Sequence, residues 1–160
     1  MPEPAASPVA RALGRIPSGL FIVATLRDGR PVGFLGSFVM QMGFAPPIVC
    51  VGIGKERAQL ADIRDSGRFA LSILDPKSRA RMAPFLRRPS DSESPFDGIP
   101  LLSTRSGAPI LADALAWVEC RVSGEHATGD HVVFFGEVTD GALLREGEPS
   151  THLRKNGLDY

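Results

Sequence analysis

The stretch GFLGSFVMQMGFAPPIVCVGIGKERAQ, residues 33–59, predicts a strand, a Pro-Pro turn, a buried strand and then a helix. The second strand runs into Gly52-Ile53-Gly54-Lys55-Glu56-Arg57, a glycine-containing turn with two cations at the start of the helix. Unpaired backbone N–H groups and the positive end of a helix dipole attract phosphate at such a place. The stretch therefore indicates a site for a phosphate-bearing cofactor.

Other interpretations fit parts of this stretch. A dinucleotide-binding fingerprint would have a third glycine where this chain has Arg57, and the repeated strand-helix units of that fold are missing. Composition alone favours a glycine-rich turn with two solvated cations. Earlier in the stretch, Gly36 permits close approach of a ligand to the backbone. Ser37 offers a hydroxyl there, and Phe38 either stacks on a ligand or packs in a core.

Composition excludes several classes of protein. The 160 residues carry 18 basic and 18 acidic side chains, so the chain has no electrostatic footprint for nucleic acid or an anionic membrane. No apolar run approaches the roughly 20 residues of a membrane span, and the N-terminus lacks the pattern of a signal peptide. We expect a single cytoplasmic domain over residues 1–160, with residues 1–6 as a loose tail. Cys50 and Cys120 are expected to be buried free thiols.

The rest of the chain predicts further strands joined by hairpins and short helices. Asp28-Gly29 is a strong hairpin signal, and the polar, Pro-rich residues 87–106 predict a long loop. That loop either covers a site or crosses to a partner subunit. Strands connected in this way indicate a mainly β fold, an antiparallel barrel. Strands are predicted over 19–27, 31–40, 48–53, 68–74, 115–122 and 131–141, and short helices after Ser7, over 57–66 and after Asp75-Pro76.

Few residues suggest chemistry carried by the protein itself. His131 follows a Gly-Asp turn at the start of a strand, and the spacing of the histidines matches no zinc motif, so no metal is expected. There is no G-x-S-x-G, no catalytic-cysteine signature and no outstanding carboxylate pair. The residues alone favour redox chemistry supplied by a phosphate-bearing cofactor.

Taken together, six segments resemble the flavin reductase-like family, the FMN-binding split barrel. They occur in the order that this family shows, and the subgroup with the greatest resemblance includes flavoredoxin and the flavin reductase domains of diflavin flavoproteins. The segments are ALGRIPSGLFIVAT (12–25), GFLGSFVMQMGFAPPIVCVGIGKER (33–57), IRDSGRFALSIL (63–74), FDGIP (96–100), SGAPILADALAWVECRV (106–122) and GDHVVFFGEVTDG (129–141).

The resemblance implies a Greek-key-like split β-barrel that binds FMN, or FAD, at a homodimer interface. NAD(P)H then gives a hydride to flavin N5, and oxygen, ferric iron or a partner oxygenase accepts the electrons. No side chain is implied to act as a catalytic acid or base. The implied flavin contacts are Leu35, Gly36, Ser37 and Phe38 at the ring and ribityl chain, Lys55, Arg57 and Gln59 at the phosphate, and His131 near the flavin or nicotinamide.

The chain departs from the family pattern at five of these positions or their neighbours. Leu35 replaces the usual Thr, Phe38 a Trp or Ser, Gly43 a Ser and Gln59 a Thr, so three flavin-side hydroxyls are lost. Each lost hydrogen bond weakens binding by about 0.5–1.5 kcal/mol. Gly36 replaces Ala, which is expected to leave more space for the ring. Three hypotheses follow: an NAD(P)H:flavin reductase, a non-enzymatic flavin-binding electron carrier, and a dimeric scaffold that has lost flavin.

Overall fold

The computed structural model describes residues 6–87 and 93–159. The expected loose tail therefore lies outside the described residues except for Ala6, and so does the part of the predicted loop over 88–92. The strands are β1 (Ser18–Gly19), β2 (Phe21–Arg27), β3 (Arg30–Gly36), β4 (Val39–Phe44), β5 (Pro47–Gly54), β6 (Arg68–Ile73), β7 (Leu101–Ser103), β8 (Pro109–Leu111), β9 (Ala116–Thr128), β10 (His131–Leu143) and β11 (Thr151–His152). The helices are α1 (Pro8–Leu13), α2 (Gln59–Ser66) and a 3-10 helix (Ser78–Leu86).

Seven strands form one antiparallel sheet in the order β3-β2-β6-β9-β10-β5-β4. The sheet curls on itself, because Phe34 of β3 and Val51 of β5 belong to the same buried cluster although their strands lie near opposite ends of the strand order. The Gly52 N–H also donates to the Phe38 carbonyl at 2.8 Å, and this bond extends the pairing of β4 with β5 by one residue. The mainly β, split-barrel architecture predicted from the sequence is confirmed.

Several local signals act as the sequence indicates. Asp28 and Gly29 both have positive φ, 50° and 76°, as the tight turn between β2 and β3 requires. The Ser7 side chain caps α1 by accepting from the Ala10 N–H at 3.2 Å. Gly67 ends α2 in the left-handed conformation, with φ 64°. These short-range features set where the elements begin and end.

Other elements differ from the expectation. The single strand predicted over 31–40 is two strands, because the chain leaves the sheet at Ser37-Phe38 between β3 and β4. The predicted helix after Asp75-Pro76 is a 3-10 helix, consistent with Pro84 inside it. The turn expected over 126–130 shortens to Gly129-Asp130, because β9 and β10 continue as a long hairpin.

Two predictions of burial and one of loop structure are also corrected. Cys120 is buried, but Cys50 is only half-buried, because β5 turns Val49, Val51 and Ile53 toward the core. Ala61, expected on the apolar face of α2, is exposed. The predicted loop over 87–106 contains β7, which pairs with β8.

Candidate functional site

The break between β3 and β4 lies beside a cavity of about 640 Å³. Its lining combines apolar side chains with polar and basic ones, and a segment near the end of the described chain supplies several of the polar ones. The apolar lining residues are Leu20, Leu35, Met82, Phe85, Leu86 and Leu153, and the others are Gly36, Ser37, Arg57, His152, Arg154, Lys155, Asn156 and Asp159.

Leu35, Gly36 and Ser37 line this cavity as three consecutive residues. Leu35 packs against a buried apolar cluster that includes Leu20 and Phe85, and Ser37 is itself buried. A Cβ on Gly36 would lie 2.9 Å from Val23 Cγ2, inside the barrel. The expectation that Gly36 enlarges the ligand space is therefore wrong, because the missing methyl group would point into the core.

The cations predicted to bind phosphate are placed differently from one another. Arg57 lines the cavity, and its guanidinium lies 5.0 Å from the centre of the Phe34 ring. Lys55 Nζ instead donates to the Gly129 carbonyl at 2.6 Å, and the Lys55 N–H donates to the Asp130 carbonyl at 2.9 Å. Gln59 is buried at the start of α2 and does not line the cavity. The structure thus brings Arg57 to the cavity and uses Lys55 to fix the β9–β10 turn.

His131 stands at the start of β10, beyond the cavity lining. Its Nδ1 shares a hydrogen bond of 2.8 Å with Asp130 Oδ1, and this bond holds the pKa of Asp130 below its usual range. The imidazole ring centre lies 5.3 Å from that of Phe38, and on Phe38 the Arg154 guanidinium sits 4.9 Å from the ring centre. His131 is therefore connected to the cavity wall through Phe38 and Arg154.

Sequence reasoning missed the segment from His152 to Asp159. The one signal in the sequence is the adjacent pair of cations Arg154 and Lys155. This pair is not part of a periodic pattern or a turn motif, so it did not indicate a site. The segment is fixed by β11, which pairs with β1, by Arg15, which donates to the Arg154 carbonyl at 3.1 Å, and by the Gly157 N–H, which donates to the Ala10 carbonyl at 2.8 Å. Its place beside the cavity is therefore set by tertiary contacts with α1 and β1.

The donor set fits a flavin nucleotide. The apolar lining residues can cover an aromatic ring system, and the lining cations can bind a phosphate group. Within the described residues, no group of three or more His, Cys, Asp or Glu side chains is arranged to hold a metal ion.

Comparison with known proteins agrees with this fit. Residues 13–157 match the family model described as flavin reductase like domain, and the chain belongs to this family. The family predicted from the sequence is therefore confirmed. A putative diflavin flavoprotein A 5 of Nostoc sp. is 35% identical over 100% of this chain and 28% of its own length. The chain thus spans about a quarter of the length of the curated relatives that it matches.

Several solved structures share this fold at greater than 25% identity. A homologue of nitrilotriacetate monooxygenase component B from Mycobacterium thermoresistibile superimposes with a TM-score of 0.83 at 32% identity, over 91% of this chain and 80% of that chain. The flavin reductase PheA2 superimposes with a TM-score of 0.75 at 28% identity, over 90% of this chain and 94% of that chain. Across the described ranges, no helix has the length and apolar content needed to cross a membrane.

Proposed function

We propose that this chain is a cytoplasmic NAD(P)H-dependent flavin reductase that uses FMN. The observation that carries the proposal is the cavity beside the β3–β4 break, whose lining combines apolar side chains with Arg57 and Ser37. Membership of the flavin reductase like domain family supports it, and so does the similarity to PheA2, which is named a flavin reductase.

The side chains of this chain bind and orient, and bound FMN supplies the N5 atom that accepts hydride from the nicotinamide. Leu35, Met82 and Phe85 provide apolar surface that excludes water from a ring lying against them. The Ser37 hydroxyl, buried at the break, is available to a polar edge of that ring. Arg57 provides a planar cation for the phosphate. No side chain needs to donate or accept a proton for hydride transfer itself.

Four of the predicted flavin contacts, Phe38, Lys55, Gln59 and His131, do not line the cavity. His131 and Phe38 contact each other and reach the cavity through Arg154, so we place them beside the nicotinamide side of the site. Lys55 and Gln59 stay assigned to the phosphate only by the family resemblance, since neither lines the cavity.

We also propose that the active form is a homodimer with flavin at its interface. Edge strand β4 exposes Met40, Met42 and Phe44, with 59%, 51% and 90% of their surface accessible. An edge strand with such a surface normally has a partner.

We further propose that an oxygenase or another electron acceptor receives the electrons of the reduced flavin. The similarity to a homologue of nitrilotriacetate monooxygenase component B supports this proposal.

Spectroscopy of the purified protein tests the activity. FMN and FAD are titrated separately, and NADH or NADPH is then added without oxygen while the flavin absorption is followed. Bleaching of the bound flavin supports the reductase. Bound flavin that stays oxidised contradicts the reductase and supports the carrier. Absence of flavin binding contradicts both and shows that the lost hydroxyls have removed the cofactor.

A further inference from the structure

We infer that Arg154 and Lys155 form, together with Arg57, the phosphate-binding side of the cavity. This inference deepens the proposed function and rests on it. The phosphate is carried either by the flavin or by the nicotinamide dinucleotide, since both present the same phosphate-ester chemistry to a cationic wall. Arg154 and Lys155 are thus ligand-binding residues contributed by the C-terminal segment.

Charge is the first argument. Arg57, Arg154 and Lys155 line the same cavity, and Asp159 is its single lining carboxylate among the residues that the structure describes. Over residues 6–87 and 93–159, none of the three cations forms an ion pair with a carboxylate. Other arginines of the chain do form ion pairs with carboxylates, as Arg27 does with Asp62 and Arg64 does with Glu125. Three lining cations and one lining carboxylate leave an excess of positive charge among the described residues of this cavity, which suits an external anion.

Rigidity of the segment is the second argument. Arg15 donates to the Arg154 carbonyl, and α1 packs so tightly there that a Cβ on Gly14 would lie 2.5 Å from the Arg154 carbonyl oxygen. On the other side of Lys155, a Cβ on Gly157 would lie 2.3 Å from Leu13 Cβ. The backbone that carries both cations is therefore held against α1, and this fixed backbone reduces the entropy lost when a ligand binds.

The position of the Arg154 side chain is the third argument. Its guanidinium lies against the Phe38 ring, at 4.9 Å from the ring centre, so it is directed toward the β3–β4 break. Lys55, by contrast, uses its ammonium group on the Gly129 carbonyl. The cations available to a phosphate in this cavity are consequently Arg57 and the two from the C-terminal segment.

Flavin with and without its phosphate provides the test. Dissociation constants for FMN and riboflavin are measured by calorimetry for the wild-type chain and for the double variant Arg154→Gln with Lys155→Gln. The control Lys77→Gln with Arg79→Gln removes the same charge from exposed residues outside the cavity lining. All proteins are compared at one salt concentration, and circular dichroism checks that each is folded.

We expect the double variant to bind FMN about tenfold or more weakly, because two charge-assisted contacts are lost. Riboflavin affinity should change little, and the control should match the wild type for both ligands. This result supports the inference and assigns the phosphate to the flavin. If FMN affinity is unchanged, the KM for NADH with riboflavin as acceptor is measured. A rise confined to the double variant also supports the inference and assigns the phosphate to the nicotinamide dinucleotide.

A double variant that behaves like the control in both measurements overturns the inference while leaving the proposed function intact. A wild-type chain that binds neither FMN nor riboflavin instead contradicts the proposed function. Single variants of Arg154 and Lys155 then measure the contribution of each residue to the ligand affinity. If the double variant fails to fold, Arg154→Lys takes its place, because it keeps the charge and removes the planar fork.

Discussion

At the scale of single residues, Gly36 shows how the barrel limits what can stand beside the cavity. A methyl group at this position would come within 2.9 Å of Val23 Cγ2, and Val23 is buried. We expect Gly36→Ala to lower the free energy of unfolding by about 1–3 kcal/mol, as overpacked cores do. Urea unfolding followed by circular dichroism measures the change.

Controls for Gly36 are available in the same sheet. Gly124 lies on exposed β9, where an added Cβ would meet no atom within 4 Å, so Gly124→Ala should stay within about 0.5 kcal/mol of the wild type. In a Val23→Ala background the clash is removed, and Gly36→Ala should cost less there. Equal costs in both backgrounds would show that Val23 is not what excludes a side chain at Gly36.

The two cysteines differ in burial, and this difference predicts different thiol reactivity. Burial, helped by the charge of Glu119, raises the pKa of the Cys120 thiol to about 12, whereas Cys50 is half-buried on β5. At pH 8 only about one Cys120 thiol in ten thousand is then the reactive thiolate. We expect Ellman's reagent to modify the folded Cys120→Ser variant, through Cys50, much faster than the folded Cys50→Ser variant. Similar rates for the two variants would contradict this assignment of burial.

At the scale of elements, an ion pair between buried Asp75 and half-buried Arg145 joins the chain just before the 3-10 helix to the chain that follows β10. Asp75 accepts from Arg145 and from the Ser78 N–H, and Arg145 also donates to the Asp113 and Ala114 carbonyls. The Arg145 hydrogen bonds hold the pKa of Asp75 far below its usual range. The pair therefore fixes the 3-10 helix, which carries Met82 and Phe85 of the cavity wall, relative to the segment that leads to β11.

This pair predicts a pH dependence. Because the folded pKa of Asp75 is depressed, its stabilising contribution is complete above its unfolded pKa of about 3.9 and is lost as pH falls from there toward the folded pKa. We expect Asp75→Asn to be less stable than the wild type at pH 7, with the difference shrinking below about pH 4. Urea unfolding at several pH values measures it. A difference that stays constant from pH 7 down to pH 3 would exclude a charge effect at Asp75.

Elements were predictable from sequence where the signal is local. The turn at Asp28-Gly29, the cap at Ser7 and the end of α2 at Gly67 each depend on a few adjacent residues. The break at Ser37-Phe38 was not predictable, because it lies within an apolar run and arises where the barrel opens. The half-burial of Cys50 was hidden for a similar reason, since IVCVGI is apolar on both faces and does not indicate which face meets the core.

At the scale of the whole molecule, the cavity combines parts of the chain that are far apart in sequence. Residues 35–37 and Arg57 belong to one continuous stretch, and sequence reasoning could nominate them together. The segment His152–Asp159 reaches the cavity through its pairing with β1 and through close packing against α1, which Gly14 and Gly157 allow. That contact depends on the folded barrel and leaves no periodic pattern in the sequence, so Arg154 and Lys155 were missed.

The proposed dimer is a property of the whole molecule and has its own test. Phe44 is 90% exposed on edge strand β4, beside the exposed Met42. We expect Met42→Lys with Phe44→Lys to be monomeric at concentrations where the wild type is a dimer, because two charges would be buried in an apolar interface. Light scattering coupled to size-exclusion chromatography measures the mass.

Leu102→Lys is the matched control, since Leu102 is an exposed apolar residue on β7, outside the seven-stranded sheet. It should leave the mass unchanged. If flavin lies at the interface, the monomeric variant should also bind FMN more weakly than the control, although neither Met42 nor Phe44 lines the cavity within one subunit. A monomer with unchanged FMN affinity would place the whole flavin site within one chain, and a wild type that is itself monomeric would exclude the β4 interface altogether.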